Sequence, residues 1–197
     1  RRAIEDGRIR GGFDALVLVG DLVNDGQAPC AEVDLRLLDV ICREAAPDVP
    51  LLAVPGNHDG AADRFFHVLN TRPGIHPLLG YRFAIFADPY APGDFCTRRD
   101  DDQANFMQEA TKGGGPLVVL QHNPLHPPID SAHYPYMHTN RDRIMADYAQ
   151  AGVLLSISGH YHAGQELSRH EGVHYFTQAA LCEKPFRYSI VTLEDGH

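Results

Sequence analysis

No apolar run in this 197-residue chain approaches the ~20 residues that a membrane-spanning helix needs, so no membrane span is expected. Positive charge is scarce. Lys and Arg number 17 against 26 Asp and Glu, a formal net charge of −9. Nucleic-acid readers usually present a basic face, so nucleic acid is not an expected partner. The four cysteines, Cys30, Cys42, Cys96 and Cys182, include no Cys-x-x-Cys pair, which removes the zinc-ribbon and thioredoxin readings. Cys30 and Cys42 fall within one helical pattern, too far apart along it to bridge. Reduced, mostly buried thiols are expected, and with them a reducing, cytoplasmic compartment. There is no internal repeat, low-complexity tract or linker, which predicts one domain over 1–197. An initiating Met is also missing. The chain opens at Arg1 inside a charged stretch, so the natural start is expected upstream.

What is present is an ordinary apolar fraction of 44% and an unusual 12 histidines. The first suits a soluble globular domain; the second suggests metal or acid–base chemistry. Apolar runs alternate with helical patterns. Strands are predicted at 14–19, 51–54, 81–86, 117–120 and 153–157. Helices are predicted from Pro29 to about Ala46, at 61–69, from the Asp100-Asp-Asp102 run to Thr111, and at 139–151. The first of these carries Val33, Leu37, Ile41 and Ala45 at a spacing of four, read as its buried face. The acidic run reads as helix capping. Residues 165–193 read as two or three antiparallel strands. Strands separated by helices imply an α/β fold, and the helix-free end implies a mixed sheet.

Four of the apolar runs stop at polar residues suited to metal binding. The first ends at Asp21, the second at Asn57-His58, the third at His122 and the fourth at His160 with His162. In open α/β sheets, sites form outside the carboxyl ends of strands, so these groups converge on one cleft. Asp and Asn offer oxygen, His offers nitrogen, and no thiolate takes part. Such a set suits Mn, Fe, Zn, Co or Ni better than calcium or a structural zinc. Gly20, Gly56 and Gly159 each precede a proposed ligand, where a sharp turn is useful.

These residues resemble a known family. Gly20-Asp-Leu-Val-Asn24, Gly56-Asn-His-Asp59, His122 and Gly159-His-Tyr-His162 look like four of the five signature blocks of the calcineurin-like metallophosphoesterases, of the phosphodiesterase-type branch. The resemblance implies an αββα sandwich of mixed sheets flanked by helices and two divalent or trivalent transition-metal ions. It implies that Asp21 bridges the ions, that Asn57, His122 and His160 complete one site, and that His162 belongs to the other. His58 would assist the leaving group and Asp59 would orient His58. Asn24 stands where the family often has Asp. The implied reaction is attack of a metal-bound hydroxide on the phosphorus of a small phosphodiester or cyclic nucleotide. The Gly-Asp-x-x-Asp-Arg-Gly block of protein phosphatases is not matched, since Asp25-Gly26 follows Asn24. The family's first block, Asp-x-His, does not occur before Asp21. The expectation is that the first strand, with the other ligands of the His162 ion, precedes Arg1, and that 1–10 is the tail of the helix after it.

Two other readings stand beside this one. A non-catalytic metal-binding or protein-interaction module would keep the fold with an incomplete dinuclear site. A mononuclear metal hydrolase of another class would use the same donors on a different bond. The loop at 123–138, with His126, His133, Tyr134, Tyr136 and His138, reads equally as a cleft overhang or a proline-stiffened surface loop. Arg141 reads as a solvated arginine or a phosphate contact. His67, His76, His170, His174 and His197 follow no strand end and read as structural or exposed.

Overall fold

The computed structural model describes residues 1–91, 93–129 and 137–194. His133, Tyr134, Tyr136 and His197 lie outside these. Thirteen elements follow in order: α1 (Arg2–Ile9), β1 (Leu16–Leu18), α2 (Ala31–Ala45), β2 (Leu51–Ala53), α3 (Ala62–Val68), β3 (Gly74–Leu78), β4 (Tyr81–Ile85), α4 (Asp101–Thr111), β5 (Leu117–Leu120), α5 (Arg141–Ala151), β6 (Val153–Ser158), β7 (Gln165–His170) and β8 (Val173–Thr177). β1 and β2 form a parallel pair, and the other strands form a mixed sheet in the order β3-β4-β5-β6-β8-β7. Within it β4, β5, β6 and β8 run parallel, while β3 and β7 pair antiparallel at the edges.

Strand periodicity explains the layering. Along β5, Val118 and Leu120 face the β1–β2 sheet and pack with Leu52, Val54, Phe65 and Leu35. Leu117 and Val119 face the other way, onto Met107 of α4 and Ile144, Met145 and Tyr148 of α5. All four β5 side chains are buried, as a central strand covered on both faces requires. A third apolar cluster, from Ile4 to Ala46, seats α1 and α2 on the outside of β1–β2. The result is the αββα sandwich, with its core between and outside two sheets. Asp100 caps α4 as the acidic run predicts: its carboxylate accepts from the Asp102 and Gln103 amides at 2.9 and 3.3 Å, and Gln103 returns the bond.

Several expectations fail locally. The buried face of α2 is Ala31, Leu35 and Cys42, while Val33 and Leu37 are 65% and 58% exposed. A spacing of four drifts by about 40° per step on a 3.6-residue helix, so 33, 37, 41 and 45 do not share one stripe. All four cysteines are free, yet Cys30 and Cys182 are exposed and Cys96 is half-buried, so mostly buried is incorrect. β3 was not expected, because Pro77 and the flanking glycine and histidine mask an edge strand. After β8, 178–194 contains no strand.

Candidate metal centre

β1 and β2 run side by side and parallel, and so do β5 and β6, so each pair delivers the residues after its carboxyl ends to neighbouring positions. Asp21 and Asn57 arrive from one sheet, and His122 and His160 from the other. Asp21 and His160 both adopt left-handed backbone, at φ 54° and 63°. Such strain costs roughly 1–3 kcal/mol per residue and clusters at functional sites. Here it turns two ligand side chains inward immediately after their strands.

Four donor atoms converge. His122 Nε2 lies 3.0 Å from His160 Nδ1, 3.2 Å from Asp21 Oδ2 and 3.3 Å from Asn57 Oδ1. Asp21 Oδ2 is 3.9 Å from His160 Nδ1. Ligands bound at about 2.0–2.2 Å stand roughly 3.0 Å apart at a right angle and about 3.4 Å apart in a tetrahedron, the spacing that Asp21, Asn57 and His160 keep from His122 Nε2. The tautomer fits as well. His122 Nδ1 donates to the Val19 carbonyl at 2.6 Å, which leaves the Nε2 lone pair for the ring. The glycines make the space: a Cβ on Gly56 would stand 2.3 Å from Asp21 Oδ1 and 2.7 Å from His122 Cε1, and one on Gly20 would strike His122 Nδ1.

The electrostatics favour a cation. Burial would raise the Asp21 carboxyl, but His122 and His58 together outweigh that and lower it to about 2. Burial opposes protonation of His122, yet Asp21 again prevails and raises it. His160 is pushed down to about 3, first by burial and then by His122, which keeps its lone pair open.

His58 sits beside this ring. Its backbone amide donates to Asp21 Oδ1 at 3.0 Å. Its side-chain Nδ1 donates to the Asn24 carbonyl at 2.7 Å, leaving Nε2 as the outward nitrogen. Asp59 is not its partner. The buried Asp59 carboxylate accepts from the Gly56, Leu22 and Val23 amides at 2.7, 2.7 and 3.2 Å. It ties the two ligand loops together, and burial raises its pKa to about 6. The expected Asp59–His58 bond is therefore corrected. A backbone carbonyl orients His58, and the Asn24 side chain is not needed for it. His162 stands outside the ring, 54% exposed, with Nδ1 2.6 Å from Glu183. Among the described residues, Asp21, His122 and His160 form the one cluster of three His or carboxylate ligands.

A buried network that the sequence did not signal lies under His122. Arg99 pairs with Asp88 at 2.8 and 3.3 Å, reaches Gln121 at 3.1 Å and Tyr148, and stacks on Phe86 at 3.6 Å. Burial would raise the Asp88 carboxyl, but Arg99 holds it below its ordinary value. Gln121 Nε2 donates to the Asn123 carbonyl at 2.6 Å, and Tyr90 bonds the Asn123 side chain. The residues on either side of His122 are thereby fixed. His138 is buried against Asp88 at 3.5 Å, not over the cleft. Arg141 meets Asp142 and Met137, and no Arg or Lys touches the donor ring among the described residues. His126 stacks on His170 at 4.8 Å.

Oxygen and nitrogen donors gathered beyond the carboxyl ends of two packed sheets form a group that could hold a metal ion. Residues 1–164 match the family model of the calcineurin-like phosphoesterases, and the chain belongs to that family. No curated protein compared with it matches in sequence. Among solved structures it is similar to a dimetal phosphatase from Danio rerio, with 17% identity and a TM-score of 0.66, over 93% of this chain and 77% of that one. It is also similar to a Staphylococcus aureus protein assigned as a 5'-nucleotidase in complex with alpha-ketoglutarate, with 12% identity and a TM-score of 0.54, over 90% of this chain but 42% of that one. These similarities establish the fold. No helix among the described residues is long and apolar enough to cross a membrane.

Proposed function

We propose that this chain hydrolyses small phosphodiesters, cyclic nucleotides among them, with metal ions held by Asp21, Asn57, His122 and His160. The observation that carries this is the set of Asp21, Asn57 and His160 donor atoms gathered 3.0–3.3 Å around His122 Nε2, with His58 bonded to one of them. His162 would contribute to a second ion, and Asp21 would be common to both. Bound ions supply charge neutralisation for phosphate oxygens and an acidified water. The protein's own groups do the rest. Asp21 and His122 set the position of the phosphorus. His58, with Nδ1 committed to the Asn24 carbonyl, presents Nε2 to the departing oxygen and gives it a proton. Asp59 keeps the two ligand loops in register. A diester fits because it is a monoanion, and no Arg or Lys touches the donor ring, among the described residues, to hold the second charge of a monoester.

The test is turnover of bis-(p-nitrophenyl) phosphate by the metal-loaded protein. His58→Ala should lower kcat by about 10²–10⁴-fold, the usual worth of a positioned acid, while elemental analysis finds the metal content unchanged. Equal turnover in the variant removes the role given to His58. A non-catalytic module is favoured by one observation: His162 is half-exposed and its Nδ1 is engaged with Glu183. It predicts fewer than two ions per chain and no turnover.

A further inference from the structure

Phe95 is 42% exposed, and its ring centroid lies 6.3 Å from that of His58, tilted by 44°. Exposure of a phenylalanine is ordinarily explained by a loose surface loop. That explanation fails here, because the segment is clamped at its neck and again beside Phe95. Asp88 and Arg99 close the neck through their buried ion pair. Inside it, Thr97 Oγ1 donates to the Pro89 carbonyl at 2.6 Å, and the Thr139 amide donates to the Thr97 carbonyl at 2.8 Å. The Arg99 backbone is gripped from both sides by the Asn140 side chain, at 2.8 and 3.3 Å. Phe95 itself is fixed through its carbonyl, which accepts from Asn123 Nδ2 at 2.9 Å. Asn123 follows the ligand His122. One residue is thus bonded to the ion-binding loop by its backbone while its ring stands beside the imidazole assigned to the leaving group.

The geometry points to Phe95 as the wall of a leaving-group subsite that takes a planar aromatic ring, either an aryl ester or the base of a nucleotide. This rests on the role of His58 proposed above. Phe95 reaches the departing half of the substrate, and the donor ring holds the phosphoryl half. An exposed, pre-positioned ring loses little freedom when a second ring stacks on it, so stacking contributes its full selectivity. Alkyl leaving groups have no face to offer and gain little.

The test uses non-cleavable ligands, so binding is read without turnover. The Mn-loaded protein is titrated by calorimetry with methyl(phenyl)phosphinate, the Rp isomer of adenosine 3',5'-cyclic phosphorothioate and dimethylphosphinate, all monoanions like a diester. Methyl(phenyl)phosphinate should bind about tenfold tighter than dimethylphosphinate, the scale of one stacked ring. Phe95→Ala should bring the two within about threefold while Phe95→Tyr keeps the gap, because only the ring is required. Metal content should not change in either variant. If the gap persists in Phe95→Ala, or is missing in the unaltered protein, the subsite is refuted while the phosphoesterase reading survives. If no phosphorus ligand binds in the presence of metal, the phosphoesterase reading falls and this inference with it. Loss of the gap for the cyclic phosphorothioate as well identifies a nucleotide base as an occupant; loss for methyl(phenyl)phosphinate alone identifies an aryl group.

Discussion

Replacing Arg99 by Met tests whether the buried network beneath His122 is a designed support. The guanidinium is buried with Asp88, whose carboxylate is wholly inside the protein. Met matches the length of the side chain and can still lie on Phe86, where Arg99 now stacks at 3.6 Å. What it removes is every donor to Asp88 from that side, and donors to the Gln121 and Tyr148 oxygens. Removing one partner of a buried pair typically costs about 3–5 kcal/mol, because the other charge remains without compensation. In a chain of this size each kcal/mol lowers Tm by roughly 2–4 °C, so a fall of about 6–20 °C is expected. Thermal melting followed by circular dichroism, at pH 7.5 with and without metal, measures it. Asp88→Leu combined with Arg99→Met removes both charges and should recover at least half of the loss. A single-variant loss under about 1 kcal/mol, or a double variant worse than the single, refutes the argument that the pair matters through its burial.

Burial holds His138 down to about 4, and Asp88 on one side only partly offsets it. The folded protein therefore resists a proton that the unfolded chain accepts, and stability should fall as pH drops from about 6.5 to 4, by up to about 3 kcal/mol. Urea melts of the unaltered protein and of His138→Leu should differ in slope across that window by this amount, since His160 and Asp59 titrate there in both and cancel in the difference. Gly56→Ala pushes a methyl against Asp21 and His122. It should weaken metal binding by about 10–100-fold in a competitive chelator titration, while the far-ultraviolet dichroism stays native.

The strand ends were legible because physics makes them so. An apolar run that stops at Gly-Asp or Gly-His has no packing reason to place a charge there, and four such stops in one α/β chain converge. Chemistry carried by the backbone was not legible. No residue letter marks that the Asn24 carbonyl holds His58, or that Asp59 serves amides and not imidazole. The same limit applies to Asp88 and Arg99. Asp88 follows β4 just as Asp21 follows β1, so strand-end logic alone cannot separate a ligand from half of a buried ion pair. Only the partner across the loop decides. For α2, apolar residues occupy both faces, and the choice between Leu35 and Leu37 is made by what lies beneath the helix.

The donor ring draws its members from two different sheets. Asp21 and Asn57 ride on the parallel pair β1–β2, while His122 and His160 ride on the six-stranded sheet. The apolar interface between them resists separation without specifying any one atom-to-atom distance across it, since the hydrophobic effect has no direction. Coordination is directional, and a slip of 1 Å would open the ring. A cation seated there would work as a rivet through two plates, linking its release to a loosening of the sandwich. Stability should therefore track the logarithm of free metal concentration, and the sandwich should be most pliable when chelator has drawn the rivet out.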